Sequence, residues 1–211
     1  MTTSAATIRQ GRKFEQVLEG ARTVFMARGY ERASVDEIAR VSGVSKATLY
    51  SYFPEKRLLF TEMYRTEILR LADSAVELSD TTPPEIALPE AARRFVAFLI
   101  SDFSQAMYRI CVAESPRFPE IGQAFYESGP ELGRARLGAY FAAQQAQGKL
   151  RIDDIDLAAD QFFQLCQTTL SDQMICGIET RFSPAAQARV ADGAVHLFLA
   201  AYAMRCAGDR K

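Results

Sequence analysis

The sequence predicts an all-α protein. Apolar residues recur at intervals of three and four along most of the chain, which is the spacing of one face of an α-helix. No stretch alternates apolar and polar residues over the length of a strand, and no hairpin dipeptide lies between β-branched runs. We expect about nine helices, arranged as a three-helix N-terminal domain followed by a larger helical domain.

The first two predicted helices have recognisable ends. An amphipathic pattern runs over residues 8–28 and stops before Gly29, a residue type that commonly lies just beyond a helix. Ser34 then begins a short second helix, and Glu37 follows three residues later, as in a capping box. Gly43 ends this helix, because glycine adopts the backbone angles of a tight turn without steric cost.

A third short helix follows the turn. Ser45 is its predicted cap, and the helix extends over residues 46–52 with Leu49 as its one strongly apolar, inward-facing residue. Pro54 disfavours continuation of this helix and suits the first turn of a new one. The fourth helix, over residues 54–78, is long and amphipathic.

The rest of the chain predicts one clear loop and several longer helices. Three prolines within ten residues mark the loop at residues 80–89. Ser183 and Pro184 begin the last helix, as a serine cap followed by proline at the first helical position. The helices after the loop are expected over residues 90–115 with a break near Ser101, from about 120 to 147 with a kink near Gly129, over 156–176, and over 184–206.

The two short helices around Gly43 have the proportions of a helix-turn-helix motif. A recognition helix rests on its supports through few apolar side chains, so its remaining faces stay free for the major groove. The third helix fits this requirement, because its other side chains include hydroxyls, phenols and a lysine that can hydrogen-bond phosphates or base edges. These candidates are Ser45, Lys46, Thr48, Tyr50, Ser51 and Tyr52.

Three further residues complete the candidate DNA-binding set. Ala47 is small enough to let the helix approach the duplex closely and to contact a thymine methyl group. Lys56 lies in the first turn of the fourth helix, where a phosphate would also meet free backbone N–H groups. Ser34, at the start of the second helix, is counted with these DNA-contacting residues.

Charge is unevenly distributed along the chain. Residues 1–57 contain ten basic and six acidic residues, a net charge of +4, whereas the remainder carries −5. A basic N-terminal part on an acidic body indicates that the N-terminal part meets a polyanion and the body does not.

Other function classes find little support in the sequence. It contains no glycine-rich nucleotide loop, no His/Cys/carboxylate cluster with metal-ligand spacing and no GxSxG elbow, so we expect no enzyme, no metal site and no cofactor. The N-terminus lacks the apolar segment of a signal peptide, and no apolar run is long enough to cross a bilayer, which predicts a cytoplasmic protein without membrane contact. Four scattered cysteines are expected as buried apolar groups: Cys111, Cys166, Cys176 and Cys206.

The N-terminal third resembles the signature of the tetracycline-repressor (TetR) family of bacterial transcription regulators. The resemblance rests on the string SVDEIARVSGVSKATLYSYFPEKRLLF at residues 34–60 and covers about residues 8–70. Residue type and spacing agree throughout, although Pro54 stands where many members have a polar cap. A weaker likeness continues over residues 113–119, which look like a stretch in one branch of the family's C-terminal domains.

This resemblance implies a homodimer that offers one recognition helix to each half of a palindromic double-stranded DNA operator. It implies a helix-turn-helix DNA-binding domain over residues 8–53, followed over residues 54–211 by a helical domain that binds a small-molecule effector and dimerises through its last two helices. The final predicted helix supports this role, because it is apolar on more than one face. The dimer-interface candidates are Val190, Ala194, Leu197, Phe198, Ala201 and Tyr202.

Aromatic and methionine residues are frequent in the predicted effector domain. Most are expected in its core, and a minority are expected to line the effector cavity, since such cavities are apolar with few polar anchors. The effector is therefore expected to be largely apolar. The candidate cavity residues are Phe98, Phe103, Met107, Tyr126, Phe162 and Phe163.

The leading hypothesis is a sequence-specific DNA-binding regulator, a repressor released from its operator by an inducer. One alternative is a helical small-molecule-binding or interaction module without operator binding, which the intact set of Thr48, Tyr50 and Lys56 disfavours. A second alternative is a helical enzyme with a basic N-terminal part, which the lack of a catalytic motif disfavours.

Overall fold

The structure, a computed structural model, describes residues 11–73 and 78–204. Within these ranges the chain is helical and forms no strand beyond an isolated antiparallel bridge between Leu150 and Ala203, which confirms the all-α prediction. The helices are α1 (Arg12–Arg32), α2 (Val35–Ser42), α3 (Lys46–Tyr52), α4 (Lys56–Asp73), α5 (Pro84–Leu99), α6 (Asp102–Glu114), α7 (Pro119–Tyr126), α8 (Leu132–Ala146), α9 (Ile155–Ile175) and α10 (Pro184–Tyr202). A π-helical turn, Glu127–Glu131, joins α7 to α8, so the described residues form nine continuous helical rods.

The ends of the short helices are those that the sequence predicts. The Ser34 hydroxyl accepts a hydrogen bond from the Glu37 N–H at 3.1 Å and caps α2. Gly43 ends α2 in the left-handed conformation, with φ 65°, which glycine adopts without strain. Gly29 has φ 72° and interrupts α1 at the predicted stop, although helical turns resume after it as far as Arg32.

The chain forms two compact units. Unit 1 comprises residues 1–69 and 106–128, and unit 2 comprises residues 70–105 and 129–211. Unit 1 therefore contains, besides the N-terminal helices, a segment from the middle of the chain. The domain boundary expected between residues 53 and 54 remains a prediction.

The core of unit 1 forms around α1. This helix packs along α2, and the two backbones approach closely at Gly20, where a Cβ atom would lie only 3.0 Å from the Ser42 backbone nitrogen. Aromatic side chains from α1, from α4 and from Phe53, just after α3, fill the centre through edge-to-face and tilted contacts. The buried residues of α1–α4 include Phe14, Val17, Leu18, Val24, Phe25, Ile38, Leu49, Leu59, Phe60 and Met63.

The core of unit 2 lies among α5, α8, α9 and α10. Three phenylalanines from three different helices meet at its centre: Phe141 and Phe198 stack with ring centroids 4.7 Å apart, and Phe162 packs edge-on against Phe198 at 5.3 Å. The end of α10 is closed by two backbone hydrogen bonds of 2.9 Å, from Arg151 N–H to the Tyr202 carbonyl and from Met204 N–H to the Lys149 carbonyl.

Several boundaries in the second half differ from the predicted ones. Helix α5 begins at Pro84, inside the predicted loop, because the first helical position requires no N–H donor. The kink expected near Gly129 takes the form of the π-helical turn, which contains Pro130. Helix α9 is interrupted at Thr168, and α10 ends at Tyr202, four residues before the predicted end.

Candidate nucleic-acid interface

Helix α3 is held to unit 1 by very little apolar surface. Of its seven described residues, Leu49 is the one that is buried, with 1% of its surface exposed. The Ser45 hydroxyl caps the helix by accepting a hydrogen bond from the Thr48 N–H at 3.1 Å, and the Phe53 N–H donates to the Leu49 carbonyl at 2.9 Å. The helix is therefore defined at both ends and rests on unit 1 mainly through Leu49, with Tyr52 half-buried beside it.

Most of the predicted DNA-contacting residues lie at the surface. Tyr50 is the largest of them and has 48% of its surface exposed. Thr48, Tyr52 and Lys56 are half-buried. The exposed members of the set are Ser34, Ser45, Lys46, Ala47, Tyr50 and Ser51.

Three hydroxyl groups of α3 and its cap already take part in hydrogen bonds. Ser51 donates to the Thr48 carbonyl at 2.7 Å, and the Ser45 and Thr48 hydroxyl oxygens lie 2.8 Å apart. A hydroxyl oxygen has two lone pairs as well as its own proton, so these groups keep hydrogen-bonding capacity for a ligand. Their roles as DNA contacts remain predictions.

Tyr52 serves mainly as a packing residue in this structure. Its ring lies edge-on against Phe14, with centroids 5.6 Å apart, and close to Phe53 at 6.5 Å. The sequence pattern placed Tyr52 on the exposed face, but the packing against α1 leaves the side chain half-buried. Tyr50, two residues earlier, is the tyrosine that faces solvent.

The structure adds an acidic residue that the sequence analysis missed. Lys46 Nζ lies 2.6 Å from Asp36 Oδ2, and the two side chains are 60% and 63% exposed. Asp36 lies in the first turn of α2, ten residues before Lys46, a separation that no helical periodicity connects. Only the turn at Gly43 brings the two side chains together.

Lys56 makes contacts within unit 1 that the sequence did not predict. Its ammonium group donates to the carbonyl oxygens of Tyr30, Ala33 and Glu31 at 2.9, 3.2 and 3.3 Å, and lies 4.5 Å from the centre of the Tyr30 ring. An ammonium group has three donors, and all three point at the end of α1. To reach a phosphate, the group would have to leave these acceptors, and its role as a phosphate contact remains a prediction.

Two family models match the chain. The model for bacterial regulatory proteins of the tetR family matches residues 17–63, which contain the helix-turn-helix motif. The model for the AefR-like transcriptional repressor C-terminal domain matches residues 86–204, more than half of the chain. The chain belongs to the TetR family.

Solved TetR-family structures are similar over nearly the whole chain. A TetR-family regulator from Mesorhizobium loti MAFF303099 is 30% identical with a TM-score of 0.85, and the flavonoid-responsive regulator FrrA is 34% identical with a TM-score of 0.77. Each alignment covers 93% of this chain and 100% of the other chain. The transcriptional repressor AcnR from Corynebacterium efficiens is 33% identical over 63 residues, which are 30% of this chain and 34% of AcnR. The chain thus spans about a third of the length of the curated relatives that it matches.

The six residues predicted to line a TetR-type effector cavity are divided between the two units. Met107 and Tyr126 belong to unit 1, the first fully buried and the second 49% exposed. The other four, Phe98, Phe103, Phe162 and Phe163, belong to unit 2. Two open grooves in the described part of the chain, of about 510 and 380 Å³, are lined by other residues. The cavity assignment remains a prediction.

The predicted dimer-interface residues of α10 need correction. Ala194 and Phe198 are 3% and 1% exposed because they form part of the core of their own subunit, so they are not free to contact a partner. Leu197 is 56% exposed, Ala201 is exposed, and Val190 and Tyr202 are half-buried. The exposed face of the helix instead follows a stripe of small and apolar residues: Gly193, Leu197, Ala200, Ala201 and Met204.

The cysteines differ in their surroundings. Cys166 is buried in unit 2, and burial raises the pKa of its thiol to about 12. Cys111 is half-buried, and burial raises its pKa as well. Cys176 is exposed, contrary to the expectation of a buried group, because α9 ends there, and Cys206 lies outside the described residues.

No group of three or more potential metal-ligating side chains occurs among the residues that the structure describes. In the same ranges, no single helix is both long and apolar enough to cross a membrane. Helices α5 and α6 pass that test only when they are taken together, and they are bent by 62° relative to each other.

Proposed function

We propose that this protein is a cytoplasmic, non-enzymatic transcriptional repressor that binds a palindromic operator as a homodimer and is released by a small, largely apolar effector. The observation that carries the proposal is the exposure of polar side chains on α3. Leu49 anchors the helix, while Lys46, Ala47 and Tyr50 project from unit 1 with no apolar neighbour to bury them. A cation, a small side chain and a phenol on one free helix face suit contacts with phosphates and base edges.

A homodimer suits this mode of binding, because it carries two recognition helices. Two recognition helices read a palindrome when they lie about 34–36 Å apart, one turn of DNA, or a multiple of that distance. The exposed stripe on α10, centred on Leu197, offers an apolar surface with small residues that allow close helix approach. We expect Leu197→Asp to convert the dimer to a monomer in sedimentation velocity, and a variant that stays dimeric would contradict this interface.

The effector acts only through its differential affinity for the two states of the repressor. An effector that binds the DNA-free geometry more tightly lowers operator affinity by the ratio of its two binding constants. FrrA, a relative, is named as flavonoid-responsive. Planar aromatic compounds are therefore a reasonable first class of compounds to screen as effectors here.

Selection from a random duplex pool tests the DNA-binding proposal. The full chain is incubated with a pool of random 40-base-pair duplexes, and bound duplexes are enriched over several rounds and sequenced. We expect enrichment of a palindrome with half-sites one helical turn apart. The Lys46→Ala/Tyr50→Ala variant should lose retention of the selected duplex in a gel shift, because it removes the main polar groups of α3.

The matched control is Arg181→Ala/Tyr108→Ala, which removes an exposed cation and an exposed tyrosine outside α3. This control should retain the duplex, and circular dichroism should show that both variants are folded. A wild-type protein that enriches no sequence would favour the alternative of a ligand-binding module without operator binding. Retention of the duplex by the α3 variant would contradict the recognition-helix assignment.

A further inference from the structure

The two ends of the helix-turn-helix motif are tied to each other. The motif follows Ala33 and ends at Phe53, and Lys56 lies just beyond it at the start of α4. The Lys56 ammonium binds the carbonyl groups of Tyr30, Glu31 and Ala33 at the end of α1, at 2.9–3.3 Å. The Lys56 side chain therefore closes the base of the motif by linking its two ends.

The connection between α6 and α7 contacts the end of α1, where the Lys56 ammonium is bound. Arg117 Nη1 lies 3.2 Å from Glu31 Oε1, an ion pair between residues 86 positions apart in the chain. Beside it, the Phe118 ring packs against the Tyr30 ring, with centroids 5.7 Å apart and an interplanar angle of 62°. The Arg117 guanidinium also lies 5.0 Å from the centre of the Phe118 ring, which holds the two side chains together.

The first turn of α7 contacts the start of α4, next to Lys56. Glu120 forms an ion pair with Arg57, which also binds Glu55 at 2.6 Å. Hydrogen bonding to Glu55, together with Glu120, raises the pKa of Arg57, and the same bond lowers the pKa of Glu55. Arg57 therefore lies between two carboxylates, Glu55 and Glu120.

The segment that makes these contacts is connected to unit 2 at both ends. The chain passes from unit 2 into unit 1 within α6, between Gln105 and Ala106, and returns within the π-helical turn, between Ser128 and Gly129. Both crossings lie inside helical structure rather than in loops. The segment that carries Arg117 and Glu120 is therefore joined to both crossings by helical structure.

We propose that Arg117 and Glu120 are positioning residues for operator binding, which fix the orientation of the recognition helix by holding both ends of the helix-turn-helix motif. This inference rests on the proposed function. Specific binding requires two recognition helices in register with two half-sites, so a small rotation of α3 reduces specific contacts. Non-specific binding depends on phosphate charge and tolerates the same rotation.

The test compares affinities for two duplexes. One is the duplex that the wild-type protein selects, and the other is a scrambled duplex of the same length and composition. The deciding quantity is the ratio of the two affinities, because a change of net charge alters both in the same direction. The variants are Arg117→Glu and Glu120→Arg. Arg181→Glu, at an exposed loop position of unit 2, is the control for the charge change of the first, and Asp153→Arg, also exposed in unit 2, is the control for the second.

We expect each single variant to lower the affinity ratio by about three- to tenfold, since it replaces an attraction by a repulsion of the size typical of exposed ion pairs. The swapped pairs, Arg117→Glu with Glu31→Arg and Glu120→Arg with Arg57→Glu, should recover the ratio to within about twofold of the wild type. The second swap also carries Glu55→Arg, so that residue 57 keeps partners of opposite charge on both sides. The Arg181→Glu and Asp153→Arg controls should leave the ratio unchanged. Arg117→Gln and Glu120→Gln, which introduce no like charges, serve if a charge-reversal variant fails to fold.

An unchanged ratio in the single variants would overturn the positioning role, as would a ratio that stays low in the swapped pairs. A lower melting temperature with an unchanged ratio would show a purely structural contact and would also overturn it. These outcomes differ from failure of the proposed function, in which the wild-type protein itself selects no duplex.

Discussion

The ammonium group of Lys46 on the recognition helix lies 2.6 Å from the carboxylate of Asp36 on the preceding helix. The cation is therefore paired before any duplex arrives, and a phosphate or base acceptor must displace the carboxylate. Both side chains are largely exposed, and such pairs contribute about 0.2–1 kcal/mol. The pairing is weak enough for DNA to break, yet it places a negative charge on the surface that would face the phosphates.

Replacement of Asp36 by asparagine is expected to increase affinity for any duplex by about two- to fivefold in 0.1 M salt, because it removes this repulsion and frees Lys46. Fluorescence anisotropy titrations over a range of salt concentrations measure the change. Asp153→Asn, at an exposed position in unit 2, is the control and should bind as the wild type does. Equal affinities for Asp36→Asn and the control would contradict a DNA-facing position for Asp36.

Lys56→Met tests the structural role of this lysine against the predicted phosphate contact. Loss of the ammonium leaves the carbonyl groups of Tyr30, Glu31 and Ala33 without their donor, so the free energy of unfolding should fall by about 1–3 kcal/mol. Chemical denaturation measures it, with Lys149→Met as the control. A stability equal to that of the wild type, with a log–log salt slope of DNA binding reduced by about one, would instead support the phosphate contact.

Gly20→Ala is expected to destabilise the protein by about 1–3 kcal/mol, although alanine is the better helix former. A Cβ atom at this position would press on the Ser42 side chain and lie 3.0 Å from its backbone nitrogen, which cannot move without shifting α2. Gly138→Ala is the matched change inside α8, where a Cβ atom would make only van der Waals contacts of 3.4 Å or more, and it should be neutral or stabilise by up to about 1 kcal/mol. Thermal unfolding compares them, and equal effects would disprove the close approach of α1 and α2.

The thiols are expected to react at very different rates. The thiolate is the reactive form, and burial raises the pKa of Cys166 to about 12, so this thiol stays protonated at pH 8 and gains reactivity only as the pH approaches 12 or the protein unfolds. Exposed Cys176 should be labelled first by a thiol reagent at pH 8. Mass spectrometry of labelled peptides assigns the sites. Labelling of Cys166 as fast as Cys176 in the native protein would contradict its burial.

Much of the DNA-binding part follows from local sequence. The caps at Ser34 and Ser45, the left-handed turn at Gly43 and the burial of Leu49 all agree with the predictions. Each depends on residues no more than four positions apart, where hydrogen bonds and helical periodicity leave few alternatives. The polar face of α3 is predictable for the same reason.

The sequence by itself determined an all-α chain with a capped, sparsely anchored recognition helix, because these features arise within one or two helical turns. Only the tertiary structure decided that Lys56 closes the motif, that Asp36 meets Lys46, and that Phe198 belongs to its own subunit's core. Such pairings join residues that are distant in the chain, and periodicity shows which face of a helix is apolar without showing which neighbour will cover it.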